Sequence, residues 1–109
     1  MNYNSTRNAA LQVTAAQAIA QGISEEGGLF VPQSFPKADL KDMLGLDYIG
    51  RAEYVLSRFL TDFTAEEIKA CAESAYGGGK FDDNTPAPVV SLNKHGENKH
   101  ILELWHGPT

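Results

Sequence analysis

Three small or polar residues near the end of the sequence could form part of a functional site. His106, Gly107 and Thr109 follow residues 101–105, which are mostly apolar or strand-favouring and predict a β-strand. Pro108 and the glycine before it stop such a strand, because proline has no amide hydrogen to donate to a sheet. Loops that follow buried strands often carry function, so we take these three residues as active-site-loop candidates.

His106 and Thr109 each allow two interpretations. The two ring nitrogens of His106 could hold the loop in place, or the ring could take part in catalysis. Thr109 could offer its hydroxyl to a phosphate or an ordered water, or it could simply cap a turn. Beyond this loop the sequence indicates no catalytic residue.

Arg7 is the candidate for substrate binding. Its guanidinium group presents a fixed fork of donors that suits a phosphate or a carboxylate. The alternative is a surface salt bridge that anchors the N-terminal segment. Arginines of either kind look the same in a sequence, so both interpretations stay open.

Two further patterns are interpreted as structural. Residues 77–80, Gly-Gly-Gly-Lys, resemble part of a phosphate-binding loop, but they follow a predicted helix, and Phe81 comes next where such a loop needs Ser or Thr. They are therefore interpreted as a helix terminator. The acidic pair at residues 82–83 is interpreted as solvated loop charge.

No metal site and no reactive thiol are expected. The three histidines, His95, His100 and His106, lack the spacing of metal ligands, and no helix carries a pair of them. Cys71 is the sole cysteine and lies between alanines in a helical pattern. Free cysteine is among the most buried residue types, so Cys71 is expected to lie in the core.

Length and composition fit one small domain. The chain has 109 residues, and its apolar and charged fractions, 42% and 21%, are ordinary for a globular protein. A net charge of −5 with scattered basic residues predicts neither nucleic-acid nor membrane binding. No apolar run approaches the roughly 20 residues of a membrane span. The first residues lack the pattern of a signal peptide, so a cytoplasmic location is expected.

The first helix is predicted from its caps. Leu11, Val13 and the alanines that follow are expected to begin it, with Thr14 and Gln17 forming a capping box and Gly22 ending it. Its inward face is expected to contain Ala15, Ala18 and Ile19. A short strand over residues 29–31 and a short helix over residues 39–44 should follow.

Two longer helices come next. Asp47 is expected to cap the third, and Thr64 to open the fourth in a capping box with Glu67, which ends near residues 76–79. The third helix carries an apolar stripe of Tyr48, Ile49, Ala52, Val55, Leu56, Phe59 and Leu60. Its wetter face is expected to be Arg51, Glu53 and Tyr54. The inward residues of the fourth are expected to be Ile68, Cys71, Ala72 and Ala75.

A hairpin is predicted at the end of the chain. Residues 89–92 form one strand, residues 93–98 the turn and residues 100–105 the returning strand. The predicted fold class is therefore α+β, a small helical domain of about four helices with a two-stranded antiparallel hairpin.

Four segments, spread in order along the chain, together resemble one known family. They are residues 3–7 (Tyr-Asn-Ser-Thr-Arg), 21–32 (Gln-Gly-Ile-Ser-Glu-Glu-Gly-Gly-Leu-Phe-Val-Pro), 47–52 (Asp-Tyr-Ile-Gly-Arg-Ala) and 102–109 (Leu-Glu-Leu-Trp-His-Gly-Pro-Thr). The last resembles the run that leads into the cofactor lysine of threonine synthase, with Trp105 where the family has Phe. After the first segment, Asn8 stands where the family has Gly. Each segment alone is a weak signal, but four in register are specific.

The resemblance implies that residues 1–109 are the N-terminal domain of a threonine synthase, in the tryptophan synthase β-like group of pyridoxal-phosphate enzymes. Such a lyase converts O-phosphohomoserine and water to threonine and phosphate in threonine biosynthesis. It implies pyridoxal phosphate as cofactor of the full-length enzyme, with the substrate and the remaining α/β domains as partners. The cofactor lysine would fall just past Thr109. The chain alone is therefore expected to hold no cofactor and to be inactive.

Two alternatives belong to other functions. One is a related phospho-lyase of the same family that acts on a phosphorylated amino alcohol. The other is a non-catalytic interaction module, which would leave the exit of the last strand, at residues 106–109, with nothing to cap it.

Overall fold

The computed structural model describes residues 1–93 and 98–108. Within these ranges the elements are β1 (Tyr3–Ser5), β2 (Gln12–Val13), α1 (Ala15–Gln21), β3 (Phe30–Pro32), α2 (Leu40–Met43), α3 (Tyr48–Phe59), α4 (Ala65–Tyr76), β4 (Val89–Ser91) and β5 (His100–Leu102). The described chain thus combines four helices with small antiparallel sheets, which confirms the predicted α+β class and the number of helices.

A three-stranded sheet forms the N-terminal end of the fold; its strand β3 matches the strand predicted over residues 29–31, whereas β1 and β2 were not predicted. Its strand order is β2-β1-β3, and β1 pairs antiparallel with both neighbours, with Tyr3 opposite Val13 on one side and Pro32 on the other. Starting the first helix at Leu11 and Val13 was therefore wrong. Thr14 is the N-cap and has extended backbone angles, so the residues before it continue as a strand.

The first helix begins and ends where its caps predict. The Thr14 hydroxyl accepts from the Gln17 amide at 3.2 Å, and the Gln17 side chain accepts from the Thr14 amide at 2.9 Å. Gly22 ends α1 with a φ of 77°, which glycine adopts without strain. Ala15 and Ala18 are buried, but Ile19 is 63% exposed, so placing it in the core was wrong. Only two positions of this two-turn helix are fully covered.

Two hydrogen bonds tie the N-terminal sheet and helix to the end of α3. The Tyr3 hydroxyl donates to the Phe59 carbonyl at 3.0 Å, and burial raises the pKa of this phenol. Asp62 accepts from the Ala16 amide at 2.9 Å, and this backbone hydrogen bond lowers the pKa of the carboxyl group. A carboxylate at the first turn of a helix also interacts favourably with the helix dipole.

The helices α3 and α4 make the main helix–helix contact of the described residues. The buried face of α4 is narrow and consists of Ile68 and Ala72, which are 4% and 1% exposed. Ala75 and Cys71 are exposed, so the core positions predicted for them were wrong. An amphipathic helix covered by one neighbour buries a single row spaced four residues apart, and both residues lie beside that row.

The apolar stripe of α3 is only partly covered. Asp47 caps this helix as predicted, accepting from the Gly50 amide at 2.7 Å. None of its described residues is fully buried, and Tyr48 and Val55 are exposed. Of the three residues predicted to form the more exposed face, Arg51 alone is exposed. The other two, Glu53 and Tyr54, are half-buried.

The hairpin pairs as predicted, with Val89 opposite Leu102 and Val90 opposite Ile101. The returning strand ends at Leu102, three residues earlier than expected. It was also expected to be buried, yet all four paired residues are at least 40% exposed. Residues 94–97 of the predicted turn lie outside the described residues.

Candidate functional site

His106 lies between two carboxylates. Its Nδ1 is 2.5 Å from Oδ1 of Asp82, and its Nε2 is 2.7 Å from Oε2 of Glu103. The His106 side chain is 14% exposed and that of Glu103 21%, whereas that of Asp82 is 74% exposed. The ring is thus held on both sides and largely withdrawn from solvent.

Backbone hydrogen bonds reinforce the same contact. The Asp82 amide donates to the His106 carbonyl at 3.1 Å, so these two residues are joined twice. The Glu103 amide donates to the Pro88 carbonyl at 3.0 Å, which ties the start of the loop to the segment before β4. The loop that leaves β5 is therefore fixed to the chain segment that follows α4.

The two carboxylates favour the charged form of the histidine. The hydrogen bond to Glu103 raises the pKa of His106 most, the one to Asp82 raises it further, and partial burial opposes them. A protonated ring donates from both nitrogens, which matches two acceptors on opposite sides. A ring held this way has no free lone pair for a general base, which favours the loop-ordering interpretation of His106.

Gly107 is confined by an aromatic column. A β-carbon built there would lie 2.9 Å from Cε1 of Phe81. The Phe81 ring stacks on Tyr76, with centroids 6.1 Å apart, and Tyr76 meets Tyr48 edge-on at 5.0 Å. The column connects the loop to the end of α4 and the start of α3. Thr109, the third candidate, lies outside the described residues.

Arg7 belongs to a different cluster. Its Nη1 donates to the Glu26 carbonyl at 2.9 Å, and its charge contributes to lowering the pKa of the Glu26 carboxyl. The largest cause of that lowered pKa is the Ser24 hydroxyl, which donates to the same carboxylate at 2.6 Å. Arg7 thus anchors its segment through a backbone carbonyl rather than through the salt bridge that was the alternative interpretation, and substrate binding stays a prediction.

The segment that carries Arg7 interlocks with the glycine loop before β3. The Thr6 amide donates to the Leu29 carbonyl at 2.9 Å, and the Leu29 amide donates to the Thr6 hydroxyl at 3.0 Å. A β-carbon on Gly28 would fall 2.0 Å from the hydroxyl of the buried Ser5. Two motifs that lie about twenty residues apart in the sequence are thus one structural unit.

The described residues show no cluster of metal ligands and no enclosed lysine. No cluster in residues 1–93 and 98–108 brings three suitable metal ligands together. The described lysines, at positions 37, 41, 69, 80 and 99, are all exposed, and the ammonium group of Lys80 donates to the Ser74 carbonyl. A pyridoxal-phosphate site needs a lysine in a low-dielectric pocket, and these side chains do not fit that requirement.

The sequence reading missed the partners of His106. Asp82 was assigned to solvated loop charge, and Glu103 was not considered. The signal available in sequence was the spacing of Glu103 and His106, three residues apart. The contact with Asp82, 24 residues away, and the role of Phe81 carried no such local signal.

A family model described as "Threonine synthase N terminus" matches residues 2–76. The threonine synthase of Pseudomonas aeruginosa is 34% identical over all of this chain, which covers 23% of that relative. The human protein "Threonine synthase-like 1" is 38% identical over 86% of this chain and 13% of its own length. The chain thus spans less than a quarter of these relatives.

Two solved threonine synthase structures resemble this chain over nearly its whole length. A PLP-bound threonine synthase from Brucella melitensis superposes with a TM-score of 0.84 at 30% identity, covering 99% of this chain and 23% of that one. The yeast threonine synthase gives a TM-score of 0.85 at 28% identity, covering 97% and 22%. The likeness therefore includes the hairpin and the His106 loop, which lie beyond the match to the family model.

In the described part of the chain, no helix combines the length and the apolar character that crossing a membrane requires.

Proposed function

The chain belongs to the threonine synthase N-terminus family, and from that premise we propose that residues 1–109 are the N-terminal domain of a longer threonine synthase. The proposed enzyme is a pyridoxal-phosphate-dependent lyase that converts O-phosphohomoserine and water to threonine and phosphate. The observation that carries the proposal is the 34% identity over the whole chain to a threonine synthase. The cytoplasmic location expected from the sequence stays a prediction.

The proposed domain would act together with the rest of the longer protein. The relatives are more than four times as long as the part that matches, which supports further domains as partners. The hairpin supports the same view, because Val89, Val90, Ile101 and Leu102 expose apolar side chains on both of its faces. Successive side chains of a strand point to opposite faces, so both faces of the hairpin carry apolar residues that another part of the longer protein could cover.

The chemistry would come from the cofactor, and binding and orientation from the protein. Bound pyridoxal phosphate serves as an electron sink for carbanion chemistry. The described lysines do not fit its site, so the proposed cofactor site lies mainly in the rest of the longer protein. The part assigned to this chain is to hold the loop of His106 and Gly107 in a defined position. Thr109 and Arg7 stay candidates for phosphate contacts.

A second candidate is supported by a specific observation. The human protein "Threonine synthase-like 1" is 38% identical over most of this chain, slightly above the 34% of the threonine synthase of Pseudomonas aeruginosa. This relative supports a threonine synthase-like protein, and the phospho-lyase of the same family that acts on a phosphorylated amino alcohol stays the alternative. A non-catalytic interaction module has less support, because the threonine synthase relatives are much longer proteins and match nearly the whole of this chain.

One experiment separates these functions. The full-length protein that contains this chain is loaded with pyridoxal phosphate and given O-phosphohomoserine or a phosphorylated amino alcohol, and phosphate and threonine are measured. Threonine formed in step with phosphate supports the main proposal. Phosphate from the amino alcohol without threonine supports the alternative. Release of phosphate from neither substrate would contradict both.

A further inference from the structure

We propose that Asp82 and Glu103 are positioning residues which, through a protonated His106, fasten the loop of residues 103–108 to the segment that follows α4. We call these three residues the His106 clasp. The clasp concerns the fold of this chain and does not depend on the proposed reaction. Only its effect on turnover would rest on that proposal.

The geometry favours a cation at the centre of the clasp. Each ring nitrogen of His106 faces a carboxylate oxygen, at 2.5 Å for Asp82 and 2.7 Å for Glu103. A neutral imidazole has one donor and one acceptor, so one nitrogen would turn a lone pair towards a carboxylate. The imidazolium satisfies both contacts with charge-assisted hydrogen bonds, which are shorter and stronger than neutral ones.

The surroundings add no competing cation within the described residues. The charged groups on the two packed segments are Lys80, Asp82, Asp83 and Glu103. Lys80 is bonded to the Ser74 carbonyl, and Asp83 accepts from the amide of Thr85 at 3.0 Å. The Trp105 ring lies beside the imidazole, with centroids 5.7 Å apart, and adds no charge. Asp82 and Glu103 are therefore the groups that set the charge state of His106.

Two other roles fit the geometry less well. A metal ion would need the carboxylate oxygens and one ring nitrogen to converge on a point about 2 Å from each. Here the carboxylates lie on opposite nitrogens and cannot converge. A general base would need an unprotonated nitrogen within reach of a substrate, and both nitrogens of His106 are bonded. A fastening role uses every contact that is present.

The clasp works with the aromatic column beside it. The Asp82 amide holds the His106 carbonyl, and Phe81, the residue before Asp82, packs against Gly107. Two adjacent residues, Phe81 and Asp82, thus hold two consecutive loop residues. Asp82 holds His106 by hydrogen bonds, and Phe81 holds Gly107 by packing. The direction in which the loop leaves the hairpin is set by these two contacts.

Imidazole titration of the 109-residue chain by NMR tests the clasp directly. His100, whose exposed side chain contacts the Asn98 side chain, is followed in the same spectra for comparison. The expected result is a midpoint for His106 above that measured for His100, with both ring nitrogens protonated below the His106 midpoint. Backbone amide shifts of Asp82 and Gly107 should follow the His106 midpoint. Titration of His106 together with His100 would overturn the proposal.

Three single variants and one double variant identify the cause. Asp82→Asn and Glu103→Gln should each lower the His106 midpoint, and the double variant should lower it furthest. Asp83→Asn is the matched control, because Asp83 is adjacent and equally charged but bonds to Thr85, and it should leave the midpoint near the wild-type value. A raised midpoint that neither variant lowers would also overturn the proposal. The amide spectra of α3 and α4 report whether each variant folds, and if Asp82→Asn unfolds, Glu103→Gln decides.

Neither outcome depends on activity, so the clasp and the proposed reaction can fail separately. If the full-length protein is a threonine synthase, Asp82→Asn should lower its turnover and Asp83→Asn should not. If the enzyme is active but His106 and His100 titrate together, the proposed function is supported and the clasp is contradicted.

Discussion

Phe81 and Gly107 are in such close contact that the glycine cannot gain a β-carbon without displacing the ring, because the new atom would lie 2.9 Å from Cε1. The ring itself is held by its stacking on Tyr76. The contact joins the loop after the hairpin to the helical part of the fold.

Replacing Gly107 with alanine should therefore destabilise the chain. Overpacking of this kind costs typically about 1–3 kcal/mol of unfolding free energy. Urea unfolding followed by circular dichroism measures the loss. Gly45→Ala is the control, since no atom lies within 4 Å of a β-carbon there, and it should change stability little. Equal midpoints for the two variants would show that Phe81 moves aside freely.

The burial of α4 can be tested with two isoleucines. Ile68 is 4% exposed and Ile19 is 63% exposed. Ile68→Ala should cost about 2–5 kcal/mol, because it removes buried methyl groups and leaves a cavity. Ile19→Ala removes the same atoms from an exposed position and should cost much less. Thermal unfolding of both variants provides the comparison, and similar losses would contradict the assigned burial.

The stability of the chain should depend on pH through His106. Because its pKa is raised in the folded chain, protonation favours folding. This stabilisation is fully present below the ordinary histidine pKa of 6.5 and is lost as pH rises through the raised value. The unfolding free energy should be measured from about pH 6, which lies below the ordinary histidine pKa. It should fall as the pH rises through the raised pKa of His106. His106→Gln should lack the decrease and His100→Gln should keep it; the same decrease in both would exclude His106 as its source.

The chain by itself should not bind pyridoxal phosphate at a lysine. The described lysines are all exposed to solvent, whereas a lysine that holds this cofactor needs an enclosed site. Borohydride treatment in the presence of the cofactor, followed by mass spectrometry, should yield no stoichiometric adduct on the 109-residue chain. The full-length protein, treated in parallel, should yield one. A specific adduct on the short chain would contradict the expectation.

Contacts between near neighbours in the chain were readable from the sequence. The capping boxes at Thr14 and Thr64 and the cap at Asp47 involve partners three residues away, and all three are present. The hairpin could be predicted because alternation and turn residues encode pairing over a short separation. The family resemblance was found the same way, from short runs of residues in register, and the family model covers three of the four segments.

Contacts between distant residues were decided by the tertiary structure. β1 pairs with β3, which lies about 27 positions later in the sequence. The residues of β1 are mostly polar and do not alternate clearly with apolar ones, so the sequence pattern did not predict a strand there. Cys71 and Ile19 are exposed because burial on a helix depends on how many neighbours cover it, which periodicity does not report. Asp82 reaches His106 only after the hairpin has folded back. The residues of the candidate loop were therefore visible in the sequence, whereas what holds them in place became visible only once distant segments were brought together.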